Sequence, residues 1–423
     1  MRTSTDVWLA AGVRTPFAKV DGPLGGLDAI ELSVPIARHM IDQLHGGFPD
    51  FFIWGNVVPN LGWSNIAREV LMESGTAAEV PAFSTVMACC TSMNAAFEAA
   101  GMIDAARPLA LVGGVDSLSK IQLGLTQPLS DWVRKFQQAR SLRDKIAHAA
   151  DIKLGDIRLY VPGVTNRVTG LSMGEHTEIT AKEWKIGRAE QDEYALTSHR
   201  RAIKGWDDGF FNDLVIPIAD VASDTIPRRD TSIEKLAKLS PAFDRTSGQG
   251  TLTAGNSSLL TDGAASLWVA SEAGLKKLPP RTPRARLVDY EIAAVDFRKE
   301  GLLMAPAFAV PKLLARNGLK YGDVDLWEIH EAFAAQVLFH LKAFEDRKFL
   351  HEKAHVDADL GAFPKERINP NGGSVALGHP FGATGARILS QAVKELAALE
   401  PGSRAIVSIC ADGGQGTVAL LQT

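Results

Sequence analysis

The sequence predicts an α/β protein made of two similar halves with a mostly helical segment inserted between them. Three observations carry this. Short apolar runs of strand length alternate with amphipathic stretches of helical period, which is the signature of layered strands and helices. The same rhythm appears at both ends of the chain. Between them, from 119 to 250, the texture turns polar, charged and helical while keeping enough periodic apolar positions to fold. The expected organisation is residues 1–118 with 251–275 as an N-terminal half, 119–250 as an inserted domain covering a ligand channel, and 276–423 as a C-terminal half.

Taken in order, DVWLAAGV (6–13) and FFIWGNV (51–57) read as strands. FSTVMA (83–88) is strand-like and runs into a small-residue helix, SMNAAFEAAGMI, while LALVGGV (109–115) is a buried strand. In the insertion KFQQARSLRDKIAHAA (135–150) and RAEQDEYALTSHRRAIKGW (188–206) read as helices, punctuated by the turn clusters VPGVTN and DRTSGQG. RARLVDYEIAAV, a helix around VPKLLARNGL, VDLWEI, a helix from about 331, RAIVSIC and VALLQ then repeat the earlier rhythm without a residue-by-residue repeat.

A hydrophobic content of 46%, a charged content of 22% and a formal charge of −4 describe a soluble globular chain with no global attraction to nucleic acid or an anionic membrane. Any polyanionic ligand must therefore meet a local basic patch. The run Arg134, Lys135, Arg140, Arg143, Lys145 reads first as a solvated helix face, and second as a contact for a ligand's phosphates or a partner. Three cysteines, two adjacent, make no disulfide framework and no metal spacing, so a reducing, cytoplasmic setting without a metal is expected. The N-terminus opens on a strand-like run rather than a leader, and no apolar run is long enough to span a bilayer.

The chemistry concentrates in four side chains. Cys89 lies before a helix N-terminus, where unpaired amides favour a thiolate, and Cys90 is its rival because neighbours on one turn cannot point the same way. His379 sits in NGGSVALGHPFGATG, where glycines permit close backbone approach and Pro380 restricts the histidine's backbone. His330 opens HEAFA and reads as an electrophile or a metal ligand, although Ala334 rules out HExxH. Cys410 ends an apolar strand before ADGGQG, as a core residue or a reactive one. GQGTVA fits a loose dinucleotide fingerprint, but too little chain follows it to build the βαβ unit. A thiol that holds an acyl group, a base to activate it and a second acid/base thiol suit carbon–carbon chemistry on acyl-CoA.

RTPFAK (14–19), CCTSMNA (89–95), GGVDSLS (113–119), MGEHTE (173–178), QDEYALTSH (191–199), TAGNSSLLTDGAA (253–265), HEAFAAQ (330–336), GHPFGATGAR (378–387) and CADGGQG (410–416) together resemble the thiolase family, nearly end to end and in the family's order. The histidine of HEAFA, with LLMAPAFAVPKLL, resembles the beta subunits of fatty-acid oxidation complexes. The resemblance implies an αβαβα layered fold and a degradative 3-ketoacyl-CoA thiolase that takes coenzyme A as co-substrate, with no covalently bound cofactor and no metal. It implies Cys89 as nucleophile, His379 as its base, Cys410 as the acid/base at carbon and His330 in an oxyanion hole. The backbone amides of Cys89 and Asp412 would form a second hole, Ser258 would contact CoA, and Met173 would line the pantetheine tunnel. It also implies a homodimer or higher oligomer, or a place beside a hydratase/3-hydroxyacyl-CoA dehydrogenase alpha subunit.

Two residues depart from the family pattern. Asp412 stands where Gly or Ala is usual, placing a carboxylate where negative charge develops. Asn94 replaces a glutamine. Three alternative readings follow: acetyl-CoA condensation by the same residues, a decarboxylating ketoacyl synthase, which the second cysteine disfavours, and a catalytically impaired partner subunit.

Overall fold

The computed structural model describes residues 6–423 apart from 46, 161 and 164. Twelve strands occur among them: β1 Trp8–Arg14, β2 Ala18–Lys19, β3 Phe51–Asn56, β4 Ala82–Phe83, β5 Leu109–Asp116, β6 Gly124–Leu125, β7 Leu159–Tyr160, β8 Thr261–Ala270, β9 Arg284–Ala294, β10 Leu326–Ile329, β11 Arg404–Ala411 and β12 Gln415–Gln422. The large sheet runs β10-β11-β12-β9-β1-β8-β5-β3-β4, with β2 on β8, while β6 and β7 form a separate ribbon.

Strand direction exposes a duplication that residue identity does not. In the N-terminal half β1 pairs antiparallel with β8, β8 antiparallel with β5, β5 parallel with β3, and β3 parallel with β4. In the C-terminal half β9 pairs antiparallel with β12, β12 antiparallel with β11, and β11 parallel with β10; a parallel bridge from Trp327 to Ile368 stands where β4 stands in the first. The halves join edge to edge where β1 meets β9.

Alternation along each strand sends side chains into separate cores. On β1, Leu9 joins a central core while Ala10 and Val13 join an outer one. On β12, Ala419 and Leu421 point to the central core, and Val418 and Leu420 to the other outer one. The central core is filled by the helices Thr91–Met102 and Thr384–Ala397, through Met93, Phe97, Ile388 and Leu389. The outer cores are roofed by Ala29–Asp42 and Ile66–Glu73 on one side, and by Ala305–Arg316 and Ala334–Glu345 on the other. The result is the expected αβαβα layering.

Several elements differ from expectation. The stretch 135–150 is not one helix: Gln127–Gln138 and Leu142–Asp151 are separated at Ser141, whose side chain accepts from Asp144 N and caps the second. The helix expected from 331 begins at Ala334, because Ser257 and Phe333 form an antiparallel bridge and hold the preceding residues extended. Of FSTVMA only Phe83 lies in a strand. Helix Arg188–Asp207 matches its expected span closely. VPGVTN includes 161 and 164 and so falls partly outside the described residues. Among those residues, no helix is long and apolar enough to cross a membrane.

Candidate active site

The two central helices start close together, and the candidate groups lie just ahead of their first turns. Ala386 N donates to Ser92 Oγ at 2.8 Å, and a Cβ on Gly385 would stand 2.3 Å from Met93 N, so the crossing needs glycine there. Ahead of the first helix the chain turns through Ala88, whose φ of 44° is unusual for a residue with a Cβ, into Cys89. Cys90 is fully buried and its Sγ lies 3.4 Å from Ile409 O, which settles which neighbour faces the sheet. Ahead of the second helix Gly382 N donates to Asp116 Oδ2 at 2.7 Å, tying the loop that carries His379 to the end of β5.

His379 Nε2 lies 3.1 Å from Cys89 Sγ. Its Nδ1 is 2.6 Å from Thr384 Oγ1, and Thr384 donates its only hydroxyl proton to Pro380 O at 2.7 Å. Thr384 must therefore accept from Nδ1–H, which leaves a lone pair on Nε2 facing the thiol. His379 N also donates to Thr261 Oγ1 at 2.8 Å, fixing the residue from its backbone.

His330 carries the opposite tautomer. Its ring centroid is 4.3 Å from that of His379, and its Nδ1 is 3.0 Å from Ser374 Oγ. Ser374 already accepts from Arg387 Nη2 at 2.6 Å, and Arg387, though burial lowers it to about 10, is still a cation at neutral pH. Ser374 is fully buried and its hydroxyl proton has no other acceptor among the described residues, so it goes to His330 Nδ1, and Nε2 keeps its hydrogen. That Nε2 is buried without a protein partner among the described residues, a donor waiting for an acceptor. Donor atoms of Cys89, His330 and His379 lie within 4.8 Å of one another; these are donor types zinc takes, but the proton on His330 Nε2 suits an oxyanion better.

Both members of the thiol–imidazole pair rest neutral. Burial first, then the charge of Arg387, lowers His379 to about 3. Burial first, then the charges of Cys90 and Asp412, pushes the Cys89 thiol far above its usual value. The thiolate expected from the helix N-terminus is thus not the resting state, because desolvation outweighs the terminal amides. Cys410 is buried in β11 opposite Gly416, and its thiol is raised by burial and then by the charges of Cys89 and Cys90, within whose electrostatic reach it lies.

Asp412 proves to be anchored. Its Oδ1 accepts from Asn166 Nδ2 at 2.9 Å and from Gly413 N at 2.7 Å, so it ties the inserted segment to the site. Its charge bears on Cys89 and on His176. Ser258 N donates to Ala332 O at 3.0 Å, which brings it beside the His330 turn. Met173 opens helix Met173–Glu183 behind a Ser172–Glu175 capping box and packs on the C-terminal outer core. A cleft lined by His199, Arg228, Lys235, Gly255, Leu259 and Val375 runs alongside.

Sequence reasoning missed the supporting groups. Thr384, Ser374 and Arg387 set the two tautomers, Thr261 holds the His379 backbone, and Glu331 accepts from Tyr194, Ser198, Asn369 and the Val375 amide, bracing the loop 369–375 against the His330 turn. All of them lie inside motifs singled out for other residues, Glu331 in HEAFA, Thr261 in TAGNSSLLTDGAA, and Ser374, Thr384 and Arg387 in the run around His379.

A model of the thiolase N-terminal domain matches residues 7–273, and one of the thiolase C-terminal domain matches 281–423. The chain belongs to the thiolase family. Among curated relatives of this thiolase, the 3-ketoacyl-CoA thiolase of Yersinia enterocolitica is 35% identical over 431 residues, covering 100% of this chain and 98% of its own. That of Pectobacterium carotovorum is 35% identical, with coverages of 100% and 97%. Among solved structures, the Ascaris suum Acat5 thiolase in complex with coenzyme A aligns with a TM-score of 0.78 at 29% identity, over 99% of this thiolase and 100% of that chain. The Bacillus anthracis acetyl-CoA acetyltransferase aligns with a TM-score of 0.79 at 31% identity, over 100% of both chains.

Proposed function

We propose that this thiolase cleaves 3-ketoacyl-CoA with free CoA, giving acetyl-CoA and an acyl-CoA shortened by two carbons, in fatty-acid β-oxidation. The observation that carries the proposal is the opposed pair of histidines, one presenting a lone pair to Cys89 and the other an unused N–H. His379 takes the thiol proton as Cys89 sulfur bonds to the keto carbon. The bond between the keto carbon and the neighbouring CH2 breaks, and its electron pair forms the enolate of acetyl-CoA. His330 Nε2–H donates to that thioester oxygen, and the backbone amides of Cys89 and Asp412 donate to the keto oxygen. Cys410 protonates the carbanion. The thiol of free CoA then attacks the acyl-cysteine and returns a proton to Cys410; Cys89 leaves and is reprotonated by His379.

Arg228 in the cleft, beside Lys235 paired to Asp230, supports a place for CoA phosphates there, with pantetheine passing Ser258 and Met173. Segment 119–250, tied down through Asn166, serves as the cover, and the working form is a homodimer or a larger assembly, alone or with a hydratase/dehydrogenase subunit. The test is CoA-dependent cleavage of acetoacetyl-CoA and of a long-chain 3-ketoacyl-CoA. Cys89→Ala should lose the mass gain from an acyl-CoA, and Cys410→Ala should keep that gain while losing cleavage. Acylation of the Cys89 variant, or cleavage by the Cys410 variant, would overturn the assignment.

A further inference from the structure

A stripe of charged and amide side chains runs through the central layer beside His330. On β10, Trp327 and Ile329 enter the C-terminal outer core and Leu326 the central one, so Glu328 faces the central layer, two residues before His330 on the same side of the strand. Opposite it, Arg387, Gln391 and Glu395 follow one another at spacings of four on helix Thr384–Ala397 and share a face. All four are buried, Glu328 to 1% exposure and Arg387 to 2%. Arg387 donates from Nη2 to Ser374 Oγ at 2.6 Å, its Nη1 lies 3.5 Å from Gln391 Oε1, and its Nε has no acceptor among the described residues. A cation so deeply buried needs negative charge beside it.

Of the charged groups that bear on Arg387, Arg14 and Asp224 neutralise each other in a bidentate pair, and Glu331 is taken up by Tyr194, Ser198, Asn369 and the Val375 amide. Glu328 and Glu395 remain. Gln391 Nε2 reaches Glu395 Oε1 at 3.2 Å and Glu328 Oε1 at 3.4 Å, and Asn371 Nδ2 donates to Glu395 Oε1 at 2.7 Å. Glu395 Oε2 is buried with no N–H or hydroxyl donor among the described residues, yet the two carboxyls lie within hydrogen-bonding reach of each other. Two carboxylates cannot satisfy that contact, because both only accept, whereas a carboxylic acid can donate into it. Burial first, then the charge of Glu395, raises Glu328 well above its ordinary value, which places the proton there. We propose that Glu328 and Glu395 are a positioning pair for His330, holding one proton between them and setting a single negative charge against Arg387. Held by that charge, Arg387 keeps Nη2 on Ser374, the serine turns its own proton to His330 Nδ1, and the hydrogen of His330 stays on Nε2. What that hydrogen does in catalysis rests on the cleavage reaction proposed above; where it sits does not.

The experiment compares Glu328→Gln, Glu395→Gln and the two together, in acetoacetyl-CoA cleavage and in the nitrogen NMR spectrum of the full chain labelled at histidine, where the His330 signals are identified by their loss in His330→Gln. An amide can donate where the acid did, so either single variant keeps one charge and one donor, and kcat should stay within about threefold of the parent. The double variant keeps the shape and loses the charge. Its kcat should fall about ten- to hundredfold with KM little changed, no further fall should appear when it is built on Ser374→Ala, and the His330 nitrogens should shift toward a mixture of tautomers. Glu328→Leu, which removes the donor, reaches the same loss by one substitution should the double variant not fold, and Glu328→Gln is its rescue. Parent-like kcat and tautomer in the double variant or in Glu328→Leu, or a single Gln variant as poor as the double one, overturns the proposal. The spectrum needs no substrate, so a chain that cleaves no 3-ketoacyl-CoA yet shows the tautomer change would overturn the reaction and leave the pair standing.

Discussion

At the scale of single residues the site depends on hydrogens that two hydroxyl groups direct. Ser374 hands its one proton to His330 Nδ1 while accepting from Arg387 Nη2, which satisfies a hydroxyl buried away from water. Ser374→Ala frees the His330 tautomer, and cleavage should fall about ten- to hundredfold in kcat with KM little changed, since the lost donor acts on charge that develops during reaction. Ser374→Thr should restore most of the rate, and alkylation of Cys89 by iodoacetamide should be unaffected in both, because His379 is oriented separately by Thr384. Asp412 offers a second check. Asp412→Asn keeps the acceptor for Asn166 and removes the charge that raises Cys89, so alkylation should quicken by up to about tenfold, one pKa unit's worth. Cys89, His379, His330 and Cys410 stood out in the sequence because cysteine and histidine carry nucleophilic and acid/base chemistry, and His379 and Cys410 also lie close to glycines. Ser374 and Thr384 did not, because a serine and a threonine in a glycine-rich loop have many ordinary uses, and only the observed acceptors reveal these.

At the scale of elements the distance between Cys89 and His379 follows from how two helices cross. Each group precedes one of the central helices, and the crossing is closed by Gly385 against the Met93 amide. Gly385→Ala inserts a methyl where none fits, at about 1–3 kcal/mol. The midpoint of thermal unfolding should drop by a few degrees, while cleavage should fall far more than stability does, by up to about a hundredfold, because a displacement near 1 Å disrupts the thiol–imidazole contact. Retained activity in a destabilised variant would separate the crossing from the chemistry. Strand periodicity showed β1, β5 and β11 plainly. The late start of helix Ala334–Glu345 was hidden, because the bridge from Ser257 to Phe333 joins residues far apart in sequence. The break at Ser141 had a local signal, a serine followed three residues later by an acid, which the surrounding helical periodicity masked.

At the scale of the whole molecule, burial of histidines gives the fold a pH dependence whose sign can be worked out. His199 and His340 are lowered to about 4 and His379 to about 3, mainly by burial, and His330 is lowered well below its ordinary value, by burial first and then by interaction with His379, Arg387 and His340. The unfolded chain takes up protons at these positions as pH falls through about 6.5, and the native state does not, so stability present above that value is lost on acidification. Buried carboxyls work the other way. Asp116, raised to about 6, Glu395, raised to about 7, Glu328, raised well above its ordinary value, and Asp262, also raised, are lifted chiefly by burial, and the native state holds protons there that the unfolded chain does not. Between pH 7 and 5 the histidines favour the unfolded chain on acidification and the carboxyls favour the native one, so the two sets oppose each other. His340 isolates the effect. Its Nε2 donates to Leu303 O at 2.7 Å and its Nδ1 faces Gln336, while its charge bears on His330. His340→Gln removes one titrating group of the histidine set, so whatever it does at a single pH, the unfolding temperature should fall less, or rise more, than the parent's between pH 7 and 5; parallel curves would mean that His340 binds its proton equally in the native and unfolded states.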